Sequence, residues 1–318
     1  MSVPGQALRD AGVTFFAPAP EADLLRLEHR LGQPLPAEVR ALYLDRNGEE
    51  ESMEPMLRAR LQPIPLLYEA LDELDEWLYV DVPAFKGLFL PLWTDDNGNY
   101  FVYLLTGAEA GMVADLDHER PFKLEPRYRN MESLYAALLD GYLQDDESVP
   151  QDYPSASPPT AQELAAYEDH LRAYAQTDHE PTREMHATFL LMLCPAGREQ
   201  DWLPLLHHRE MVIDTARALG ERGCVWALEA LIETVRRFPA DSTLGNNVLE
   251  VITQLDAPET DAALIGLARD FPANMTALYV ARALERRGYT HERIRGEGKA
   301  YVASRVAVPG GWIELPWA

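Results

Sequence analysis

The chain has 318 residues, of which 47% are hydrophobic, and it carries a formal net charge of −24. That length supports two ordinary domains with separate cores, and the charge disfavours nucleic acid and anionic membranes as partners while favouring a basic protein. No apolar run approaches the roughly 20 residues of a membrane span. The opening MSVPGQALRD has neither the positive region nor the apolar core of a secretory signal. Cys194 and Cys224 lie in apolar helical contexts, which predicts two buried thiols in a reduced, cytoplasmic chain. The acid is uneven: residues 1–150 hold 12 Lys/Arg against 28 Asp/Glu, and the remainder 16 against 24.

In chain order, Leu24, Leu27 and Leu31 recur at helical spacing, with Leu25 widening the stripe. Glu21 and Asp23 suit the positive end of the helix dipole, and Gly32 closes the helix. A second helix opens at Pro36 with Val39, Leu42 and Tyr43 on one face, and Asn47-Gly48 ends it. Gly48 to Met56 is acidic and predicts a surface loop. Leu67, Leu71, Leu74 and Leu78 predict a helix over 66–78. Strand signals follow at Leu88–Leu92 and Tyr100–Leu105, joined by a turn at Asn97-Gly98. Tyr100–Leu105 is apolar on both faces, as in a central, doubly covered strand. The pattern is α+β, with helices packed on a mainly antiparallel sheet.

Four of these stretches together resemble the SUKH superfamily, the group that includes the Smi and Knr proteins. They are the entry Pro18, Pro20, Leu31-Gly32, Leu35-Pro36 and Asn47-Gly48; the strand–turn–strand Phe89 to Leu105; the strand Met112 to Glu119; and the closing helix Met131 to Leu143. The resemblance covers roughly residues 14–145. It implies partner binding without catalysis. Bacterial members are mostly immunity proteins that neutralise toxin domains, often nucleases, and fungal relatives act as interaction hubs.

The first domain is therefore expected over 1–143, with a linker over 144–159 (QDDESVPQDYPSASPP) that is rich in Pro, Ser and acid. Thr160 then starts a helix with Glu163 as its capping-box partner. From 160 to 318 the pattern is helical. Phe238-Pro239-Ala240 recurs as Phe271-Pro272-Ala273, 33 residues on, and Ala230, Leu231 and Ile232 match Ala263, Leu264 and Ile265 at the same offset. Helices over 209–221, 224–237, 243–255, 259–270 and 274–287 look like HEAT-type repeats, with an irregular helical bundle as the alternative. Gly310-Gly311, Trp312 and Trp317 predict an extended C-terminal cap.

No catalytic, metal or cofactor site is expected. Asp95, Asp96, Asn97 and Asn99 imitate a calcium loop, but Tyr100 and Thr106 stand where it needs Gly and Glu. Asp117-His118-Glu119 reads as a solvated strand end, and His207-His208 as a surface pair. Gly296-Glu297-Gly298-Lys299 departs from a phosphate loop at Arg293 and Ala300. The candidate partner-binding residues are three acidic groups with nearby aromatics: Glu49, Glu50, Glu51 and Glu54; Asp72, Asp75 and Glu76 with Trp77 and Tyr79; and Asp95 and Asp96. Carboxylates there would meet the Lys and Arg of a toxin domain, and an aromatic would supply the desolvated anchor. The leading expectation is an immunity protein that occludes its toxin. The alternative is a scaffold that binds through its helical repeats. An enzyme built on Asp117, His118 and Glu119 comes third.

Overall fold

The computed structural model describes residues 5–50, 59–120, 122–144, 151–155, 157–238, 242–270, 275–298 and 301–316. Glu51, Glu54, Lys299, Ala300, Trp317 and all but Phe238 of the two Phe-Pro-Ala triplets lie outside them. The chain divides into two compact units, Met1–Ala196 and Gly197–Ala318.

The first unit opens with α1 (Gly5–Asp10), α2 (Glu21–Leu31) and α3 (Ala37–Asp45). The Leu24/Leu27 stripe of α2 is fully buried, and Gly32 ends the helix at φ 71°. Glu28 ties α2 to α3 by accepting from the Leu35 N–H at 3.2 Å and pairing with Arg40 at 2.9 Å. After the short β1 (Arg60–Leu61) comes α4 (Ile64–Asp81). Asn47-Gly48 does more than close α3. The Asn47 Oδ1 accepts from the Ile64 N–H at 2.9 Å, satisfying one of the orphan donors at the start of α4. Gly48 sits at φ 88°, and a Cβ there would fall 2.4 Å from the Pro63 nitrogen, so only glycine fits this crossing.

Strands β2 (Phe89–Thr94), β3 (Tyr100–Leu104), β4 (Val113–Leu116) and β5 (Glu125–Tyr128) complete an antiparallel sheet in the order β1-β2-β3-β4-β5. β3 is central, as its two-sided apolar pattern requires. β2 is buried at every position. α5 (Met131–Gln144) follows. Leu24, Leu27, Val39, Leu42, Leu67, Leu71, Trp93, Tyr103, Leu134 and Tyr135 share one core. The mixed helix-and-antiparallel-sheet architecture is thus present.

The break between units differs from the expected linker at 144–159. Helices α6 (Ala161–Gln176) and α7 (Glu180–Leu193) belong to the first unit. Residues 151–155 explain why. The Asp152 and Tyr153 N–H groups both donate to the Arg127 carbonyl, at 2.9 and 3.2 Å, and the Arg129 N–H donates to Asp152 at 2.8 Å. The buried Tyr153 donates its hydroxyl to Glu163, which also pairs with Arg129 at 3.2 Å. Glu163 completes the expected capping box with Thr160. Residues 151–155, part of the segment that composition marks as a spacer, therefore run along β5 and hold α6 in place, while α7 packs on β5.

The second unit begins with tight 3₁₀ turns over Glu199–His207 and Arg209–Met211. It continues as α8 (Val212–Glu221), α9 (Leu228–Arg237), α10 (Ser242–Gln254), α11 (Thr260–Asp270) and α12 (Met275–Arg286). α10 packs on α8, α9 and α12, and α11 on α9 and α12. The expected all-α character stops there. His291–Arg295 (β6), Tyr301–Val308 (β7) and Gly311–Pro316 (β8) form an antiparallel three-stranded sheet in chain order. Alternation drives it: Ser304, Val306 and Leu315 are fully buried, while Tyr301 and Trp312 face out. Cys194 and Cys224 are both buried thiols.

Candidate partner-binding surface

α4 sorts its residues by helical phase. Leu67, Ala70, Leu71, Leu74 and Leu78 are buried, and Pro65, Glu69, Asp72, Glu73, Glu76 and Val80 are exposed. Glu69, Asp72, Glu73 and Glu76 form an acidic stripe along the outer face, and Val80 lies beyond it at 68% exposure. Glu73 accepts from the Tyr100 hydroxyl at 3.2 Å. Burial and the Glu73 and Asp95 carboxylates push the Tyr100 phenol up to about 12.

Asp75 is set apart from the stripe. Its Oδ2 receives Arg30 and its Oδ1 receives Lys86, both at 2.7 Å, and Arg30 also reaches Asp72 at 2.7 Å. The Lys86 and Arg30 hydrogen bonds hold the Asp75 carboxyl below its ordinary value. The acidic run of α4 is therefore partly neutralised from within. Trp77 is half-buried, and Tyr79 points inward, its ring centroid 6.1 Å from that of Phe89. Leu31, Leu71, Tyr79 and Phe89 line a small cleft of about 110 Å³ with Arg30, Asp75 and Lys86 also along it.

The turn between β2 and β3 lies on the same side, with Tyr100 influenced by both Glu73 and Asp95. Asp95 spends its oxygens locally, accepting from the Asn97 N–H (2.8 Å), the Asn99 N–H (3.1 Å) and the Asn99 amide (2.7 Å). Asp96, at φ 60°, pairs with Arg60 at 2.6 Å. The expected acidic tip is thus a self-bonded turn with one ion pair.

The remaining group departs furthest from expectation. Glu49 is buried, not presented to a partner. Its N–H donates to the Leu61 carbonyl at 2.9 Å, and burial pushes its carboxyl up to about 7 against the pull of the Leu61 backbone, Arg46 and Arg60. Arg46 itself is fully buried between the rings of Phe15 (4.8 Å) and Tyr135 (5.3 Å). Glu50 is exposed, and Glu51 and Glu54 lie outside the described residues.

His118 and Glu119 are exposed in a turn, where the His118 ring meets Asn99 at 2.9 Å and Asp117 accepts from the Glu119 N–H. His208, expected at the surface, is buried. One titratable cluster has no counterpart in the sequence reading. His170 on α6 meets His186 on α7, Nδ1 to Nδ1 at 2.8 Å, stacks on Phe189, and lies 4.0 Å from Glu109. Burial lowers the two imidazoles to about 3 and about 4. The α6–α7 pairing that assembles them spans 16 residues at no metal-ligand spacing, so no local signal marks it. Among the described residues, no group of three or more His, Cys, Asp and Glu side chains is placed to hold a metal ion, and no helix is long and apolar enough to cross a membrane. No protein-family model matches the sequence, and no curated protein matches it.

Proposed function

We propose that this chain is a non-enzymatic binding protein whose first unit docks a basic protein on the outer face of α4. The observation that carries this reading is the exposed acidic stripe Glu69, Asp72, Glu73 and Glu76, paired with a cation at Asp72 by Arg30, which ends at the exposed Val80 and lies beside the Asp95 turn. A stripe of one sign steers an oppositely charged partner, and apolar area next to it supplies the burial that charge alone does not. The resemblance to the SUKH superfamily gives this surface a biological setting: an immunity protein that covers a toxin domain, such as a nuclease, by occlusion. The second unit, read as HEAT-like repeats with a sheet at the C-terminal end, would enlarge the contact or hold another protein.

The test uses the full chain as bait in lysate of the source organism, at low and at high salt. A single basic partner is expected at low salt. The triple variant Glu69→Lys, Glu73→Lys, Glu76→Lys should weaken its retention at least tenfold, because exposed like charges oppose docking and each steering charge acts on association. Equal retention by the triple variant would remove α4 from the interface.

A second reading makes the helical unit the main binding surface of a scaffold. It is favoured by Trp226 and Trp312, each 45% exposed, since an exposed tryptophan is a common interface anchor. Retention of the partner by the α4 triple variant but not by Trp226→Ala or Trp312→Ala would support it.

A further inference from the structure

His170 and His186 meet across the seam between α6 and α7, Nδ1 to Nδ1 at 2.8 Å. His170 is more than nine-tenths buried, and its ring stacks on Phe189 with the centroids 4.0 Å apart. At 2.8 Å one hydrogen fits between the two nitrogens, so one ring donates and the other accepts. With both imidazoles charged, each Nδ1 carries a hydrogen and the two face each other, which this geometry does not admit. The loop between β3 and β4 closes the seam. Gln162 on α6 donates to the Ala110 carbonyl at 2.9 Å, and Glu109 lies 4.0 Å from the His170 Nε2. Glu109 folds back over Gly107, where a Cβ would fall 2.5 Å from its carboxylate. The other charges on the surrounding elements have their own partners or are buried. Asp169 pairs with Arg172 at 2.8 Å, and Arg183 lies over the Tyr174 ring. Glu125 pairs with Arg127 on β5, against which α7 packs, and Glu184 is buried on α7.

We propose that the His170–His186 pair is an acid-operated latch, whose protonation opens the α6–α7 hairpin and uncovers the face of β5 beneath it. In the closed state the rings are held neutral. Burial, and for His170 also the neighbouring His186, lowers them to about 3 and about 4. In the open state each ring returns towards its ordinary value near 6.5. A lowered imidazole contributes stability above its ordinary value and loses it as pH falls towards the value in the closed state. The open hairpin therefore takes up as many as two more protons than the closed one between about pH 6.5 and 4, and each shifts the opening equilibrium about tenfold per pH unit. Glu109 works in the opposite direction. Burial raises its carboxyl in the closed state, so opening favours loss of its proton. The latch goes beyond the docking reading and makes no use of α4.

Amide hydrogen exchange of the full chain between pH 4.5 and 6.5, corrected for the intrinsic rate, reads the opening directly. Protection of α6 and α7 is expected to fall more than about tenfold per pH unit. Protection of α2 and α4 should fall less steeply, because Glu49 and Asp115, both raised by burial, offset the imidazoles when the whole unit unfolds. Glu109→Gln should steepen the response of α6 and α7. The double variant His170→Phe, His186→Leu takes up neither proton and should hold their protection within about threefold across the range. NMR of the ring carbons in wild type needs no variant and decides the matter if the double variant fails to fold. Neither imidazole should titrate above about pH 5. A midpoint near 6.5 for either ring, an undiminished slope in the double variant, or one slope shared by every helix of the first unit would overturn the latch.

Discussion

Asp75 and Glu49 are both carboxylates of the acidic first half, yet the fold treats them in opposite ways. Asp75 is held charged between two cations, and Glu49 is shut into the core beside Arg46 with its carboxyl raised to about 7. The raised value means that the folded chain binds the Glu49 proton more tightly than the unfolded chain does. Its contribution to stability is complete below about pH 4.5 and is lost as pH rises through about 7. Glu49→Gln, which cannot ionise, should therefore gain stability relative to wild type between pH 5 and pH 8, by on the order of 2 kcal/mol. Urea unfolding at the two pH values checks it, and a pH-independent difference would refute the buried, raised carboxyl. Composition shows Glu49 only as one more acid in a polar run. Its burial follows from pairing of Phe15 with Glu49 across the chain, and from Arg46 stacking on Tyr135, contacts that span tens of residues. The exposed phase of Glu69, Asp72, Glu73 and Glu76 is legible because a helix repeats locally. That Arg30 and Lys86 quench Asp75 is not, because neither cation is a helical neighbour of it.

Elements with a strong local period are the ones the amino-acid order announces. α2 and α4 follow their leucine stripes, and α6 follows its Thr160–Glu163 box. The two-residue β1 carries no period to read, and it exists because its register pairs Arg60 with Thr94 and Leu61 with Trp93. The C-terminal sheet was reachable as extended chain through Gly310-Gly311, but its closure into three strands depends on Ser304, Val306 and Leu315 meeting the adjacent α12. At this scale Thr160 gives a clean test. Its hydroxyl accepts from the Glu163 N–H at 3.2 Å, and Glu163 returns a bond to the Thr160 N–H. Thr160→Ala should cost about 1 kcal/mol, the usual value of an N-cap. Thermal unfolding of the full chain measures it, and no loss would mean that Tyr153 and Arg129 alone hold Glu163.

The two units differ in charge as much as in architecture. Residues 1–196 hold 14 Lys/Arg against 35 Asp/Glu, and residues 197–318 hold 14 against 17. Self-repulsion is thus a property of the first unit, and the ion pairs of Arg30, Arg40, Arg60 and Arg129 each bind a carboxylate there. The position of the break has its own consequence. A fragment ending at residue 143 loses the 151–155 strap, α6 and α7, and exposes the face of β5 that α7 covers. A fragment ending at 196 keeps them. The longer fragment should unfold cooperatively and the shorter one should be measurably less stable or aggregate, since bare sheet surface invites association. Circular dichroism and size-exclusion chromatography distinguish the two, and equal behaviour would restore the break to the Pro- and Ser-rich segment.

The two cations on Asp75 also bear on time. Arg30 and Lys86 balance the charges of Asp72 and Asp75 at contact distance, so this cluster casts little field into solution. The open stripe of α4 acts before contact, through a field that ions in solution screen within about 8 Å at physiological ionic strength. Salt would then slow the arrival of a basic partner while leaving its residence time nearly untouched. On the docking reading, Glu69, Glu73 and Glu76 would set how fast a partner arrives, and the paired Asp72 and Asp75 would add little to that field.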